Sequence, residues 1–435
     1  MVKAGMTHID KDKMNIKLKY GKEYKKCVIP ENNMLGILGM EHIDAHTEPK
    51  KLIRGKLESP IGSPSLQKML KKKNPKNIVI IVSDITRPGP FALMLETLLK
   101  ELLSYDFPHE RINCVIANGT HRKMTESEMR YHYGDWAVDN FPIENHDCRA
   151  GDLVNLGMMV SGNELLVNKK VADADFLITL GVINPHYFAG FSGGRKSILP
   201  GICGYETIRH NHSNIVHDYT KLGNIEDSNK IHLEMAEAAA IVGVDFTLQA
   251  VLNHKKELVQ CFAGALDDAF LEGVNFFIEH NSVKYSQKAD ALIVSVGGYP
   301  KDINFYQSQK ALNNTFELVK EGGTVILLTE CQENIGQNEM EKQLRNAHSI
   351  DELLRMDKKN IQIGGHRAFA TGRLLKEADI LVVSSMDPKL VKAVHFTPIN
   401  SVEDGLEFIK EKEGEDFSCY IIPNGAMFFP HSSQT

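Results

Sequence analysis

The chain has 435 residues, 42% of them apolar and 24% charged, which is ordinary for globular protein and enough for two separate cores. A formal net charge of −6 argues against a nucleic-acid surface, and no apolar stretch approaches the ~20 residues of a bilayer-spanning helix. Cys27, Cys114, Cys148, Cys203, Cys261, Cys331 and Cys419 stand singly behind a polar N-terminus without a secretory leader, which predicts reduced thiols in a cytoplasmic protein with no membrane partner.

Residues 15–30 alternate apolar and polar side chains around Gly21 and read as a β-hairpin or short edge strands. The basic run Lys71-Lys72-Lys73 stands beside an Asn-Pro turn and reads as a solvated helix end. Short β-branched runs then alternate with helical patterns, the signature of parallel strands with crossover helices: I-V-I-I-V-S at 78–83, I-N-C-V-I-A at 112–117 and F-L-I-T-L at 176–180. Two runs between Asp245 and Gly264 bracket Asn253-His254-Lys255-Lys256 and predict an antiparallel hairpin on the same sheet. Fresh strands follow at 291–296, 324–329 and 380–384.

These patterns predict two α/β domains with mainly parallel sheets and an active site in the interdomain cleft. The boundaries drawn are an N-terminal domain over 1–270, a connecting helix over 271–288, a C-terminal domain over 289–400 and a returning helix over 401–412, with 413–435 rejoining the first domain.

Ligands of open parallel sheets sit beyond the carboxyl ends of the strands. The first strand runs into S-D-I-T-R-P, giving Asp84 and Arg87; the second into N-G-T-H, giving His121; the third into G-V-I-N-P-H, giving His186. One such histidine is usually a turn or capping residue. Two histidines, an aspartate and an arginine from three strand ends on one rim favour chemistry. After the strand at 291–296, Y-P-K-D-I-N-F-Y-Q-S-Q-K places Tyr306, Gln307 and Lys310 at a helix start, with Gln307 and Lys310 on one face. A solvated helix start is the bland alternative; with Arg87 opposite, the pair could clamp a carboxylate through charge-assisted hydrogen bonds.

Residues 184–201, N-P-H-Y-F-A-G-F-S-G-G-R-K-S-I-L-P-G, look at first like a phosphate loop. A P-loop places glycine directly before its lysine and a helix behind, whereas Arg195 holds that place and Pro200-Gly201 breaks the chain soon after Lys196. His210 and His212 lie two apart and would diverge on a helix, so at most one faces a site. No H-E-x-x-H or cysteine cluster completes a zinc set, and any metal must bring ligands from elsewhere.

The motifs at 83–88, 118–121, 184–202, 204–212 and 299–310, taken in order, resemble those of the nickel-pincer-nucleotide-dependent lactate racemases and their relatives, the 2-hydroxyacid racemases and epimerases, over nearly the whole chain. The resemblance implies that Lys196 is joined through a thioamide to the nickel-pincer nucleotide, a Ni(II)-pyridinium-3,5-bisthiocarboxylic acid mononucleotide. It also implies His212 as the protein's nickel ligand. Sulfur plus imidazole in a square plane suits Ni(II) better than zinc. The glycines of 190–194 are then expected to let the backbone approach the tethered group.

By the same resemblance Asp84, Ile85, Thr86, Arg87 and Tyr306 border the cofactor. Hydride leaves C2 of a 2-hydroxy acid for the cofactor while His121 or His186 takes the hydroxyl proton, and Arg87, Gln307 and Lys310 hold the substrate carboxylate. Cofactor-biosynthesis proteins are implied partners. Two other classes compete: a nicotinamide-dependent 2-hydroxyacid dehydrogenase, disfavoured because no G-x-G-x-x-G follows a strand with an acidic residue ~20 positions on, and a non-catalytic binding protein, disfavoured because every matched residue is present.

Overall fold

The computed structural model describes residues 7–10, 13–217, 221–355, 357, 362 and 364–432. Two compact units emerge: His42–His280, and a second unit that joins the residues up to Glu41 to those from Asn281 onward.

In the larger unit a six-stranded sheet runs, edge to edge, Leu258–Gly264, Phe246–Leu252, Phe176–Val182, Ile78–Ser83, Ile112–Ala117 and Ile143–Asn145. All neighbours are parallel except the antiparallel edge strand Leu258–Gly264. The predicted strands at 78–83, 112–117 and 176–180 and the hairpin on their sheet are therefore all present. Ile78, Ile80, Val82, Ile112, Ile116, Ile178 and Leu180 pack with Phe91, Leu95, Leu98 and Leu102 of helix Phe91–Ser104. The basic run Lys71-Lys72-Lys73 ends helix Leu66–Lys73, stopped by left-handed Asn74. Strand order changes direction between Ile78–Ser83 and Phe176–Val182, the point where such sheets open a crevice at their carboxyl ends.

The second unit also holds a six-stranded sheet, all parallel: Thr397–Ile399, Asp379–Val383, Val319–Leu328, Ala289–Ser295, Cys419–Ile422 and Met34–Ile37. Two boundary expectations give way here. The C-terminal strand Cys419–Ile422 does not rejoin the first domain; it pairs with Ala289–Ser295 and Met34–Ile37. The N-terminal hairpin, Lys13–Tyr20 with Glu23–Pro30, also belongs to this unit. Its buried face, Met14, Ile16, Leu18, Cys27 and Ile29, covers Ala291, Ile293, Ile326 and Ile421. Alternation marks a half-buried hairpin but carries no address for the sheet beneath it. The connecting helix is Leu266–Asn281, and strand Val283–Tyr285 occupies the end of the segment first assigned to it. Helix Val402–Glu413, the returning helix, packs Val402, Leu406 and Ile409 on this second sheet.

Candidate active site

Strand Ile78–Ser83 ends at Asp84, which is only 3% exposed. The turn closes through Arg87 N–H to the Asp84 carbonyl at 3.0 Å, and Thr86 Oγ1 donates to Asp84 Oδ1 at 2.7 Å. The other carboxylate oxygen, Oδ2, stands 2.7 Å from His121 Nδ1. His121 follows the neighbouring strand Ile112–Ala117, held by its own N–H to the Asn118 carbonyl at 2.9 Å, and its side chain is 46% exposed. Two adjacent strand ends thus place a buried carboxylate against one imidazole nitrogen and leave the ring accessible. Burial acts to raise the Asp84 pKa, but hydrogen bonds from His121 and Thr86 and the nearby Arg87 charge outweigh it and hold the carboxyl below its ordinary range. Ile85 packs on the core behind. Behind the carboxylate, burial pushes the imidazole of His132 below its usual value.

Strand Phe176–Val182 leads into a tight ribbon in which Pro185–His186 pairs antiparallel with Gly190–Phe191. At its tip, buried Phe188 is surrounded. The His186 ring meets it edge-on at 4.4 Å between centroids, the His212 ring at 4.9 Å, and Lys196 Nζ lies 5.3 Å from its centre. Asn229 Nδ2 donates to the Phe188 carbonyl at 2.9 Å and fixes the tip. One aromatic ring therefore gathers the proposed tether, the proposed ligand and the second histidine. His186 Nδ1 accepts the Ala189 N–H at 3.4 Å.

Lys196 lies in the single 3-10 turn Gly194–Ser197 and is 9% exposed. The next helix starts only at Tyr205, so the segment lacks the helix that a P-loop requires. Gly119 N–H donates to the Gly201 carbonyl at 2.9 Å, tying the His121 turn to the end of the lysine loop. The glycines at 190 and 193 meet polar groups of the protein itself. A Cβ on Gly190 (φ +74°) would stand 2.3 Å from the Asn224 carbonyl oxygen, and one on Gly193 (φ +82°) 2.6 Å from Gln249 Oε1. Their freedom admits the protein's own polar groups. Gln249, which also accepts the Gly194 N–H at 3.0 Å, escaped the sequence reading; its trace was an amide inside the buried run F-T-L-Q-A-V-L.

Arg195 is buried. Its Nη2 donates to the Ala189 carbonyl at 2.6 Å and its guanidinium lies 4.3 Å from the centre of Phe270, while Nε and Nη1 have no hydrogen-bond partner among the described residues. Burial lowers its pKa to about 9. Burial, then the Arg195 charge, pushes His232 down to about 3, keeping that imidazole neutral.

His210 and His212 both fall on helix Tyr205–Ser213 and diverge as predicted: His212 turns to Phe188, and His210 Nδ1 lies 3.4 Å from Glu234. Tyr306, Gln307 and Lys310 belong to the second unit, at the start of helix Phe305–Thr315, where Asn304 caps by accepting the Gln307 N–H. Lys310 Nζ donates to Gln307 Oε1 at 2.9 Å, and Arg367 covers the Tyr306 ring at 3.9 Å.

These residues fit a nucleotide-borne nickel centre. A nearly buried amine and an imidazole meet at one ring, and a buried guanidinium with two orphaned nitrogens sits next in sequence to the amine. Among the described residues no three His, Cys, Asp or Glu side chains gather as a metal set, so His212 would act as one donor to an ion whose other ligands arrive with the group.

Comparison with known proteins gives this geometry its family. Residues 20–223 match the lactate racemase N-terminal domain and residues 284–429 the lactate racemase C-terminal domain. The lactate racemase of Thermoanaerobacterium thermosaccharolyticum is 33% identical over 421 residues, covering 94% of this chain and 98% of that protein. The lactate racemase of Lactiplantibacillus plantarum is 33% identical over 420 residues, again 94% and 98%. The apoprotein structure of the Thermoanaerobacterium enzyme superposes with a TM-score of 0.87, covering 96% of this chain and 100% of that one at 32% identity. A Thermotoga maritima protein, 18% identical with a TM-score of 0.64 over 90% of this chain and 100% of its own, shares the fold. With both domain families matched in order and a third of the residues shared almost end to end, the chain belongs to the lactate racemase family of isomerases.

Proposed function

We propose that this isomerase inverts C2 of a 2-hydroxy acid, lactate or a close relative, by reversible hydride removal. The reading is supported above all by the convergence of Lys196, His212 and His186 on Phe188. Lys196 would hold the nickel-pincer nucleotide covalently and His212 would ligate its nickel; when bound, that group supplies the acceptor for hydride from C2.

The chain's own residues handle the proton and the carboxylate. Pulling a proton from C2 would load more negative charge beside a carboxylate, whereas loss of hydride from carbon and of a proton from oxygen leaves a neutral ketone in a 2-keto acid. With Nδ1 donating to the Asp84 carboxylate, His121 presents the Nε2 lone pair as base, and the imidazolium formed is balanced by Asp84. His186 differs. The neighbour of its Nδ1 is the Ala189 backbone N–H at 3.4 Å, not a carboxylate. The protons balance with one imidazole neutral and the other as imidazolium: the neutral ring takes the hydroxyl proton of one enantiomer as hydride leaves C2, and the imidazolium gives a proton to the carbonyl oxygen as hydride returns to the opposite face. Arg87 is the proposed carboxylate partner beside Asp84, and Gln307 and Lys310 remain proposed carboxylate donors.

The test is to load the protein in a host that makes the cofactor, supply enantiopure lactate without NAD, and follow the product by chiral chromatography alongside nickel analysis. Racemisation by nickel-bearing protein is expected. Nickel-loaded protein that leaves lactate and a panel of other 2-hydroxy acids unchanged, or that acts only with added NAD, overturns the reading.

A further inference from the structure

We infer that Glu234 is a positioning residue for the nickel ligand: through Asn211 it fixes the last turn of helix Tyr205–Ser213 so that His212 is presented to the metal. The inference rests on the assignment of His212 as that ligand.

Glu234 lies in helix Lys230–Val242 and is only 3% exposed. Carboxylates are almost never this buried unless their oxygens are fully engaged. Here four side chains converge. Asn211 Nδ2 donates to Oε2 at 2.6 Å; Ser161 Oγ donates to Oε1, Asn163 Nδ2 donates to the same oxygen at 3.2 Å, and His210 Nδ1 stands 3.4 Å from it. Three of them donate, one to Oε2 and two to Oε1, an arrangement that only an acceptor on both oxygens satisfies. A glutamine would turn an N–H toward one of these groups.

Asn211 also donates to the Ile231 carbonyl at 3.3 Å, so residue 211 is tied to helix Lys230–Val242 twice. Successive residues of an α-helix are about 100° apart. With Asn211 pinned to the carboxylate and His210 on the same side of the helix, residue 212 is turned away from it, and in this structure that direction is the Phe188 ring. Metal-ligating imidazoles depend on outer-shell partners for orientation, and loss of such a partner costs about 10-fold to 100-fold in metal affinity. For His212 the support comes through its helix neighbours.

Glu234 also docks the turn around Ser161, so a purely structural role needs its own control. Glu237, one turn along, accepts the Val160 N–H at 2.8 Å and holds the same turn, with no hydrogen bond to helix Tyr205–Ser213 among the described residues. The experiment uses holoenzyme and reads nickel release into a chelator by metal analysis, the Lys196 adduct by intact mass, and folding by thermal melt. Glu234→Gln and Asn211→Ala should each release nickel about ten-fold faster or more while keeping the adduct, with His212→Ala as the upper bound. Glu237→Ala should release it at the parental rate. Asn211→Ala decides the matter if Glu234→Gln fails to fold. Parental release from Asn211→Ala and any folded Glu234→Gln, with nickel lost from His212→Ala, overturns the positioning role alone; so does equal acceleration in Glu237→Ala. Parental nickel retention in His212→Ala removes the ligand assignment, and this role with it.

Discussion

The two six-stranded sheets treat the buried polar residues near their carboxyl ends differently. Beyond the second unit's strands, Ser308 Oγ and Thr329 Oγ1 pair at 2.6 Å, Thr329 Oγ1 meets Cys331 Sγ at 3.1 Å, and fully buried Asp302 accepts the Gly21 N–H at 2.6 Å. Ser308, Thr329 and Cys331 bind one another, while Asp302 Oδ2 holds the hairpin turn at Gly21. Beyond the larger unit's strands, Asp84 is as deeply buried, but its partner His121 is half open to solvent, and a lysine and two histidines crowd a single ring. The sheet provides strand ends in both units. Chemistry follows where polar groups there retain an open side.

Lys196→Ala is the harshest way to break the comparison, because it removes the tether and leaves both sheets whole. Intact mass should lose the adduct and chiral assay should show racemisation at background, with an unchanged melt. An active, adduct-free variant defeats the tether assignment. The histidines come next. His121→Ala and His186→Ala should each slow racemisation in both directions, since equilibrium fixes the ratio of the two efficiencies. Each should impair single-turnover hydride transfer mainly from one enantiomer, by about 10²–10⁴-fold. Rapid-mixing absorbance with each enantiomer checks this, and two variants that slow the same enantiomer while sparing the other contradict the two-base scheme.

Asp84→Asn sharpens the comparison further, because it keeps the shape and removes the charge that fixes the His121 tautomer. An activity loss of roughly 10²-fold is expected, short of losing the base itself. The sign of the pH dependence follows from the depressed carboxyl. A group whose folded pKa is lowered contributes stability that is fully present above its unfolded pKa, near 4 for aspartate, and fades as pH falls through the folded value. The stability gap between parent and Asp84→Asn, measured by denaturant titration at several pH values, should be flat above about pH 5 and shrink below pH 4. A gap that opens on acidification would mean that the carboxylate is not held ionised.

What the sequence disclosed, and what it hid, follows the range of the interactions involved. Strands such as I-V-I-I-V-S are legible because full burial demands an unbroken apolar run, and the turns behind them carry their polar residues within four positions. Placement of the N-terminal hairpin was not, since Ile16 and Leu18 would suit any apolar face and settle on Ile293 and Ile326 nearly 300 residues away. The Asp84 and His121 pairing spans 37 positions and depends on strand register. Phe188 read as one more aromatic in its motif. Its role appears only when residues 186, 196 and 212 are brought to its ring.

The mildest test returns to the second sheet. Thr329 donates or accepts within a closed set, and its loss should tell a different story from any substitution around Asp84. In Thr329→Val the volume is kept and the hydroxyl is lost, leaving Ser308 Oγ its hydrogen bond to the Asn304 carbonyl at 2.9 Å. No charge is stranded, so the cost should be that of one neutral buried hydrogen bond, about 1 kcal/mol, read as a lower midpoint in denaturant with an unchanged slope. Activity per folded molecule should stay at the parental level, because this pair holds a helix to a strand and touches none of the residues gathered at Phe188 or Asp84. A stability loss near 1 kcal/mol with full activity would confirm that the buried Ser308–Thr329 pair serves the fold. If activity fell ten-fold in a fully folded Thr329→Val protein, the purely structural reading of this pair would be wrong.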